Sequence, residues 1–229
     1  GINPSPSPHV RFFTQPGPIE HMEPICVTAD ATSFTCNAYL VPGERPTLVD
    51  AGTMPGVDAV IADHVDTLDQ VVVTHQHRDH VGELDAVLDR FDARLLAAAD
   101  HPRRDDSLTD GDEIHIGDET CTVVETPGHA PDHISLVGDT RVYTGDVVVY
   151  NDGAFDDGSF GRTDAPGQSR ERLIASLRRL LEQLPDTVEA MYPGHGDVYR
   201  ATEGPDSVRA VVERALSRAE RREPKYPDE

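Results

Sequence analysis

The chain has 229 residues, 37% of them hydrophobic, enough for one large domain or two small ones. Its 42 acids face 20 bases, only one of them a lysine (Lys225), and a formal charge of −22 disfavours phosphate backbones and anionic membrane surfaces as partners. No run approaches the ~18 apolar residues of a membrane span, and the acids are interleaved with periodic apolar segments, which excludes a disordered acidic chain.

In chain order, residues 1–24 are proline-rich and aperiodic, an expected arm or edge segment. Its start, "GINPSPSPHV", has neither a basic nor an apolar region, so no signal peptide is expected. Strands are predicted at 25–30 and 34–41, then at 47–53 after the "PGERP" turn, with a short helix over 56–65. "QVVVTH" (70–75) reads as a strand buried on both faces. Leu84, Val87, Leu88 and Phe91 then recur at helical spacing. A strand is expected in "ARLLAAAD", and two hairpins with Gly-Asp turns follow within 112–148. Leu173, Ile174, Leu177, Leu180, Leu181 and Leu184 mark one face of a long helix, "VEAMYPGHG" is a strand entering a loop, and 206–222 is a closing helix. A tail over 223–229 should fray. Meandering strand groups, each closed by a helix and appearing twice, predict two sheets face to face with helices outside. With no linker between the halves, 25–222 reads as one domain.

The composition resembles that of cytoplasmic proteins of extreme halophiles, whose dense carboxylates hold water while salt screens their repulsion. Cys26, Cys36 and Cys121 are scattered and form no C-x-x-C pair. They predict neither a disulfide framework nor a thiolate zinc site, and suit a reducing cytoplasm.

"THQHRDH" (74–80) puts four metal-capable side chains, His75, His77, Asp79 and His80, at the end of a buried strand. Three more strands end in ligand-bearing loops: "ETPGHAPDH" with His129, "YTGDVV" with Asp146 and "MYPGHGD" with His195. Five of the 11 histidines thus sit at strand ends beside two aspartates. A lone histidine there is ordinarily structural; five together indicate a site. Two imidazoles one residue apart on an extended segment reach a single cation, while Asp79 and His80, carried past them into a helix, point to a neighbouring position. Imidazole with carboxylate suits zinc, and also iron or manganese. Seven ligands exceed one tetrahedral ion, whereas two ions sharing a carboxylate use them all. His133, in "APDHISL", reads as packing or hydrogen bonding at a strand start.

H-x-H-x-D-H, followed in order by "TPGH", a "GD" after a strand and "PGHG", and preceded by "LVDAGT" with Asp50, resembles the metallo-β-lactamase superfamily across residues 25–200. The resemblance implies an α+β fold, a four-layer αββα sandwich with a metal site at one edge. Carried over by position, it implies His75, His77 and His129 on a first metal, Asp79, His80 and His195 on a second, Asp146 bridging, and Asp50 orienting a ligand loop. It implies two Zn²⁺ per chain, or alternatively one Fe²⁺ or a mixed Zn/Fe/Mn set, with Asp79 and Asp146 as catalytic carboxylates around a metal-bridging hydroxide. A serine or cysteine nucleophile is not expected: there is no G-x-S-x-G, and the cysteines lie in apolar strands.

"GSFGRTD" (158–164) is similar to the corresponding segment of glyoxalase II-like thioesterases and of persulfide dioxygenases. The first similarity implies hydrolysis of S-2-hydroxyacyl thioesters. The second implies one iron, held by His75, His129 and Asp146, and oxygen consumption. A lactonase and a non-catalytic binding module are further alternatives. Arg162 either binds a substrate carboxylate, buttresses the metal loops or pairs with a surface acid. The residues after His195 read as one helix and a tail, unlike the glutathione-binding helical domain of long glyoxalase II enzymes. The expected partner is a small-molecule thioester, with neither nucleic acid nor membrane.

Overall fold

Runs of β-branched residues that are apolar on both faces need a layer packed on either side. In the computed structural model, which describes residues 22–222, one sheet comprises β1 (Ile25–Cys26), β2 (Tyr39–Val41), β3 (Thr47–Val49), β4 (Gln70–Val73), β5 (Arg94–Ala97) and β6 (Asp106–Ser107), in that spatial order. The other comprises β7 (Glu113–Ile116), β8 (Glu119–Glu125), β9 (Ile134–Val137), β10 (Arg141–Gly145), β11 (Ala190–Pro193) and β12 (Tyr199–Arg200). The helices are α1 (Val57–Ala62), α2 (Arg78–Val81), α3 (Leu84–Phe91), α4 (Arg170–Gln183) and α5 (Val208–Glu220). Most of the expected arm (1–21) and the tail (223–229) lie outside the described residues.

The apolar side chains sort into three cores. Val72 and Leu96 join Val123, Leu136, Tyr143 and Tyr192 between the sheets. Their strand neighbours Val71, Val73 and Leu95 point the other way, onto Ile61, Val87 and Leu88 of the helices. Val124, Val142 and Met191 do the same against Leu173, Leu177, Val208 and Val212. This period-two split places helices outside both sheets, the four-layer αββα sandwich. Ser169 and Ser207 cap α4 and α5, each side chain accepting from the backbone N–H three residues on.

Strand direction departs from the expected meander. β3, β4, β5 and β6 are mutually parallel, as are β10 and β11. Helices carry the chain back between β3 and β4, between β4 and β5 and between β10 and β11, while the loop 98–105 alone joins β5 to β6; such crossover connections are what parallel pairing needs. Both predicted N-terminal strands are also shorter than 25–30 and 34–41. Thr28 turns the chain, its hydroxyl bonding the Cys36 carbonyl and accepting from Ala38 N–H. The Cys36 and Asn37 N–H groups go to the Asp79 and Gly194 carbonyls rather than to a strand. Two-residue β6 and β12 carry no hydrophobic pattern that a sequence reading could catch.

Candidate metal centre

The loops after β4, β8, β10 and β11 open at one end of the sandwich. After β4, Thr74 fixes the chain between the sheets, its carbonyl accepting from Ile134 N–H at 2.8 Å. His75 follows, buried; His77 occupies the N-cap position of α2 without a side-chain cap, and His80 lies within α2, also buried. Gly128 sits at φ 144° against the Leu173 backbone, which lets the loop carrying His129 lie flat on α4. Gly194 passes so close to Asp146 that a Cβ there would fall 2.2 Å from its Oδ1.

One ligand atom from each of His75, His77 and His129 falls within 4.8 Å of the others, and Asp79, His80, Asp146 and His195 form a second such group. Asp146 lies between them. Its Oδ2 is 3.1 Å from His129 Nε2 and 3.7 Å from His75 Nε2, while Oδ1 is 3.4 Å from His80 Nε2. His195 Nε2 lies 2.9 Å from Asp79 Oδ2 and 3.4 Å from Asp146 Oδ2.

Partners behind the site fix which nitrogens face it. His80 donates from Nδ1 to Asp50 Oδ2 at 2.8 Å, and Asp50 also accepts from the Thr74 N–H and hydroxyl, each at 2.8 Å. His129 Nδ1 donates to the Arg162 carbonyl at 2.8 Å. In the neutral form of each ring Nε2 is thereby left with its lone pair toward the cluster; burial opposes charge on His80, but Cys36, Asp146 and Asp50 raise it well above the usual imidazole range. His133 accepts the Asp146 N–H on Nε2 at 2.9 Å and bonds Thr126 through Nδ1, so it supports the bridging carboxylate from behind. That agrees with hydrogen bonding at a strand start.

The donor set fits a cation. His75 Nε2, His80 Nε2 and Asp146 Oδ1 are buried without a hydrogen-bond partner. Orphaned polar atoms cost ~1–3 kcal/mol each, and these three converge on one place. At 3.4 Å, His80 Nε2 and Asp146 Oδ1 face each other at more than the ~2.8 Å of a charge-assisted bond. His77 Nδ1 and His129 Nε2 are 3.0 Å apart, a spacing that needs a proton or cation between two lone pairs. Burial, reinforced by His80, holds His75 well below the usual imidazole range, and burial with His129 lowers His77. Neutral imidazoles are what a metal binds. Burial opposes charge on Asp146, yet His80, His129 and His195 hold it well below the carboxylate range. Burial likewise opposes His195, but Asp146 and Asp79 raise it to about 9. Cys36, Asp50 and His80 form a third group. Burial pushes the Cys36 thiol up to about 12, and His80 Nδ1 is committed to Asp50, so this group offers no free donor set.

A hollow of about 300 Å³ opens over the cluster, walled by Phe34, Val149, Asp152, Arg162 and Gln168. The Arg162 guanidinium is held by both Asp164 oxygens, at 2.9 and 2.8 Å. The Arg162 side chain thus pairs with an acid, and its backbone carbonyl holds the His129 ring. Phe34 stacks on His195 at 5.2 Å. A single aromatic in "TSFTC" gives no sequence signal for this, since exposure and ring contact depend on the fold.

The sequence profile of the metallo-beta-lactamase superfamily matches residues 31–104 and 96–195. The chain belongs to this superfamily. A hydroxyacylglutathione hydrolase of Vibrio cholerae is 32% identical over 151 residues, 65% of this chain and 56% of that protein. One from Rhodopseudomonas palustris is 33% identical over 135 residues, 53% of each chain. This chain therefore spans little more than half the length of these relatives. Among solved structures, ETHE1 from Myxococcus xanthus superposes with a TM-score of 0.63 at 28% identity, covering 85% of this chain and 89% of that one. TTHA1623, solved in a di-iron-bound form, gives 0.58 at 27% identity, covering 73% of this chain and 90% of that one. Superfamily membership thus accompanies a His/Asp cluster whose geometry could hold metal ions. Among the described residues no helix is long and apolar enough to cross a membrane.

Proposed function

We propose that the chain is a thioester hydrolase acting on S-2-hydroxyacyl substrates with two cations, taken as Zn²⁺, per chain. His75, His77 and His129 would hold the first cation, Asp79, His80 and His195 the second, and Asp146 both. The observation that supports this reading is the Asp146 carboxylate, which lies within 3.7 Å of His75 and His129 of one ligand group and of His80 and His195 of the other. Bound cations supply Lewis acidity, lowering the pKa of water to about 7 and polarising the acyl oxygen.

The chain's own residues do the rest. Asp50 and the Arg162 carbonyl keep His80 and His129 in the ligating tautomer. The hollow beside Arg162 and Phe34 receives the substrate. Water adds to the acyl carbon as the C–S bond breaks, yielding the hydroxy acid and a thiol. Asp79 is the carboxylate placed to take the proton from water and pass it on, its side chain 19% exposed against 4% for Asp146. Cys36 and Cys121 are fully buried with raised pKa values, which supports attack by water over attack by either thiol. Free cysteines support a reducing, cytoplasmic setting, and the acidic surface supports a small-molecule partner over nucleic acid or membrane.

The likeness to ETHE1 supports a second reading, a persulfide dioxygenase using one iron at His75, His129 and Asp146. Metal analysis of the protein purified from its native host, with thioester turnover and oxygen uptake on a persulfide, separates the two. Two metals per chain with thioester turnover is expected. One iron with oxygen uptake transfers the assignment to the dioxygenase.

A further inference from the structure

Two side chains at the rim, Phe34 and Arg78, contribute no ligand atom to the cluster. Phe34 is 76% exposed, yet its ring lies 5.2 Å from that of His195 and within 10° of parallel. A lone exposed ring is ordinary on a surface; this one matters because it walls the hollow over the cluster. Phe34 and Asp79 are shared walls of the hollow over the cluster and of a second hollow of about 520 Å³. Ser33, Thr53, Arg78, Gly82 and Glu83 complete the second one. Arg78, exposed, makes no hydrogen bond or ion pair among the described residues. Arg45 and Arg172 likewise show no side-chain partner among the described residues, whereas Arg90, Arg94, Arg103 and Arg104 each hold an aspartate. Glu83 lines the same hollow without pairing with Arg78.

We propose that this second hollow is a subsite for the thiol half of the substrate, and that the thiol is an ω-mercapto acid. Its sulfur lies at the cluster, its aliphatic chain crosses the Phe34 ring and its carboxylate meets Arg78. The inference rests on the thioesterase reading. A guanidinium holds a carboxylate by two parallel bonds, stronger than a neutral contact. Apolar chain on an open aromatic face removes surface from water. Repulsion from the −22 surface does not prevent such a contact in strong salt, where the Debye length is ~3 Å at 1 M.

The test uses the full chain loaded with cobalt in 1 M salt. It is titrated with 6-mercaptohexanoate and with the corresponding amide, and thiol binding is read from the cobalt absorption. Turnover of the S-lactoyl thioesters of both thiols is measured in parallel. The acid is expected to bind about threefold tighter than the amide, the worth of an exposed ion pair. Arg78→Ala removes that preference and leaves the amide unchanged, Arg78→Lys restores part of it, and Glu83→Gln tightens the acid alone. Phe34→Ala weakens both thiols alike with metal content unchanged. Equal affinity for acid and amide in the wild type, or equal weakening of both by Arg78→Ala, overturns the subsite. Thioester turnover indifferent to Arg78 overturns the subsite and leaves the hydrolase. An Arg78-dependent preference in thiol binding without turnover of either thioester overturns the hydrolase and leaves the subsite.

Discussion

Asp50→Asn tests whether a residue outside the two ligand groups governs the second one. Asp50 is buried at φ 60°, a left-handed conformation that asparagine tolerates, so the change alters chemistry more than backbone. The carboxylate accepts from Thr74 N–H, the Thr74 hydroxyl and His80 Nδ1, each at 2.8 Å. An amide that keeps its oxygen on the Thr74 N–H turns its NH₂ toward His80. Two donors then meet, and the imidazole relieves the clash by moving its proton to Nε2, the atom aimed at Asp79 and Asp146. Regenerating the ligating tautomer forfeits a charge-assisted hydrogen bond, ~1.5–3 kcal/mol. That is about 10- to 100-fold in affinity, the range found for outer ligand partners. Competitive chelator titration with zinc should show one binding step weakened by that factor and the other within about threefold. His77→Ala, which removes a donor from the first group, identifies which step is which. Two unchanged steps would refute the claim that Asp50 sets the His80 tautomer.

Asp79→Ala and His80→Ala should each abolish thioester turnover and lower metal content, with an unchanged far-UV circular dichroism spectrum; undiminished turnover removes their assigned roles. Gly194→Ala places a Cβ 2.2 Å from Asp146 Oδ1 and 2.9 Å from His80 Cε1. It should cost at least about tenfold in metal affinity, read by the same titration. His133, whose pKa burial lowers from 6.5 to about 3, makes the metal-free fold acid-sensitive. Above pH 6.5 both states carry the neutral ring. As pH falls toward 3 only the unfolded chain gains the proton, so stability is lost at up to ~1.4 kcal/mol per pH unit. Urea denaturation of His133→Gln at pH 7.5 and 5 should show a smaller difference than wild type, and an equal difference counts against the neutral buried ring. Leu177→Ala, in the core beneath α4, should cost ~2–5 kcal/mol, measured by the same denaturation.

The site was legible to different depths. The donors of "THQHRDH" follow a β-branched strand, and the motif is local, so residue order alone marks them. His129, Asp146 and His195 carry the same signature of apolar strand, glycine and ligand. Parallel pairing of β3 through β6 was not legible, because an apolar run fits either direction and the choice depends on where each helix returns the chain. The shortened strands before residue 39 were hidden for a related reason: the Cys36 and Asn37 backbone groups bond loops far along the chain.

The sequence alone determined the four-layer pattern, through strand groups each closed by a helix and repeated twice, with a strand apolar on both faces among them, and it determined the kinds of donor at the site. The tertiary structure decided what those donors can do. Which nitrogen of His80 or His129 faces the cluster depends on Asp50 and on the Arg162 carbonyl, and neither contact leaves a mark in local sequence. A side chain's identity is written one residue at a time, whereas its tautomer, its protonation and its open face are set by whichever groups the fold brings beside it.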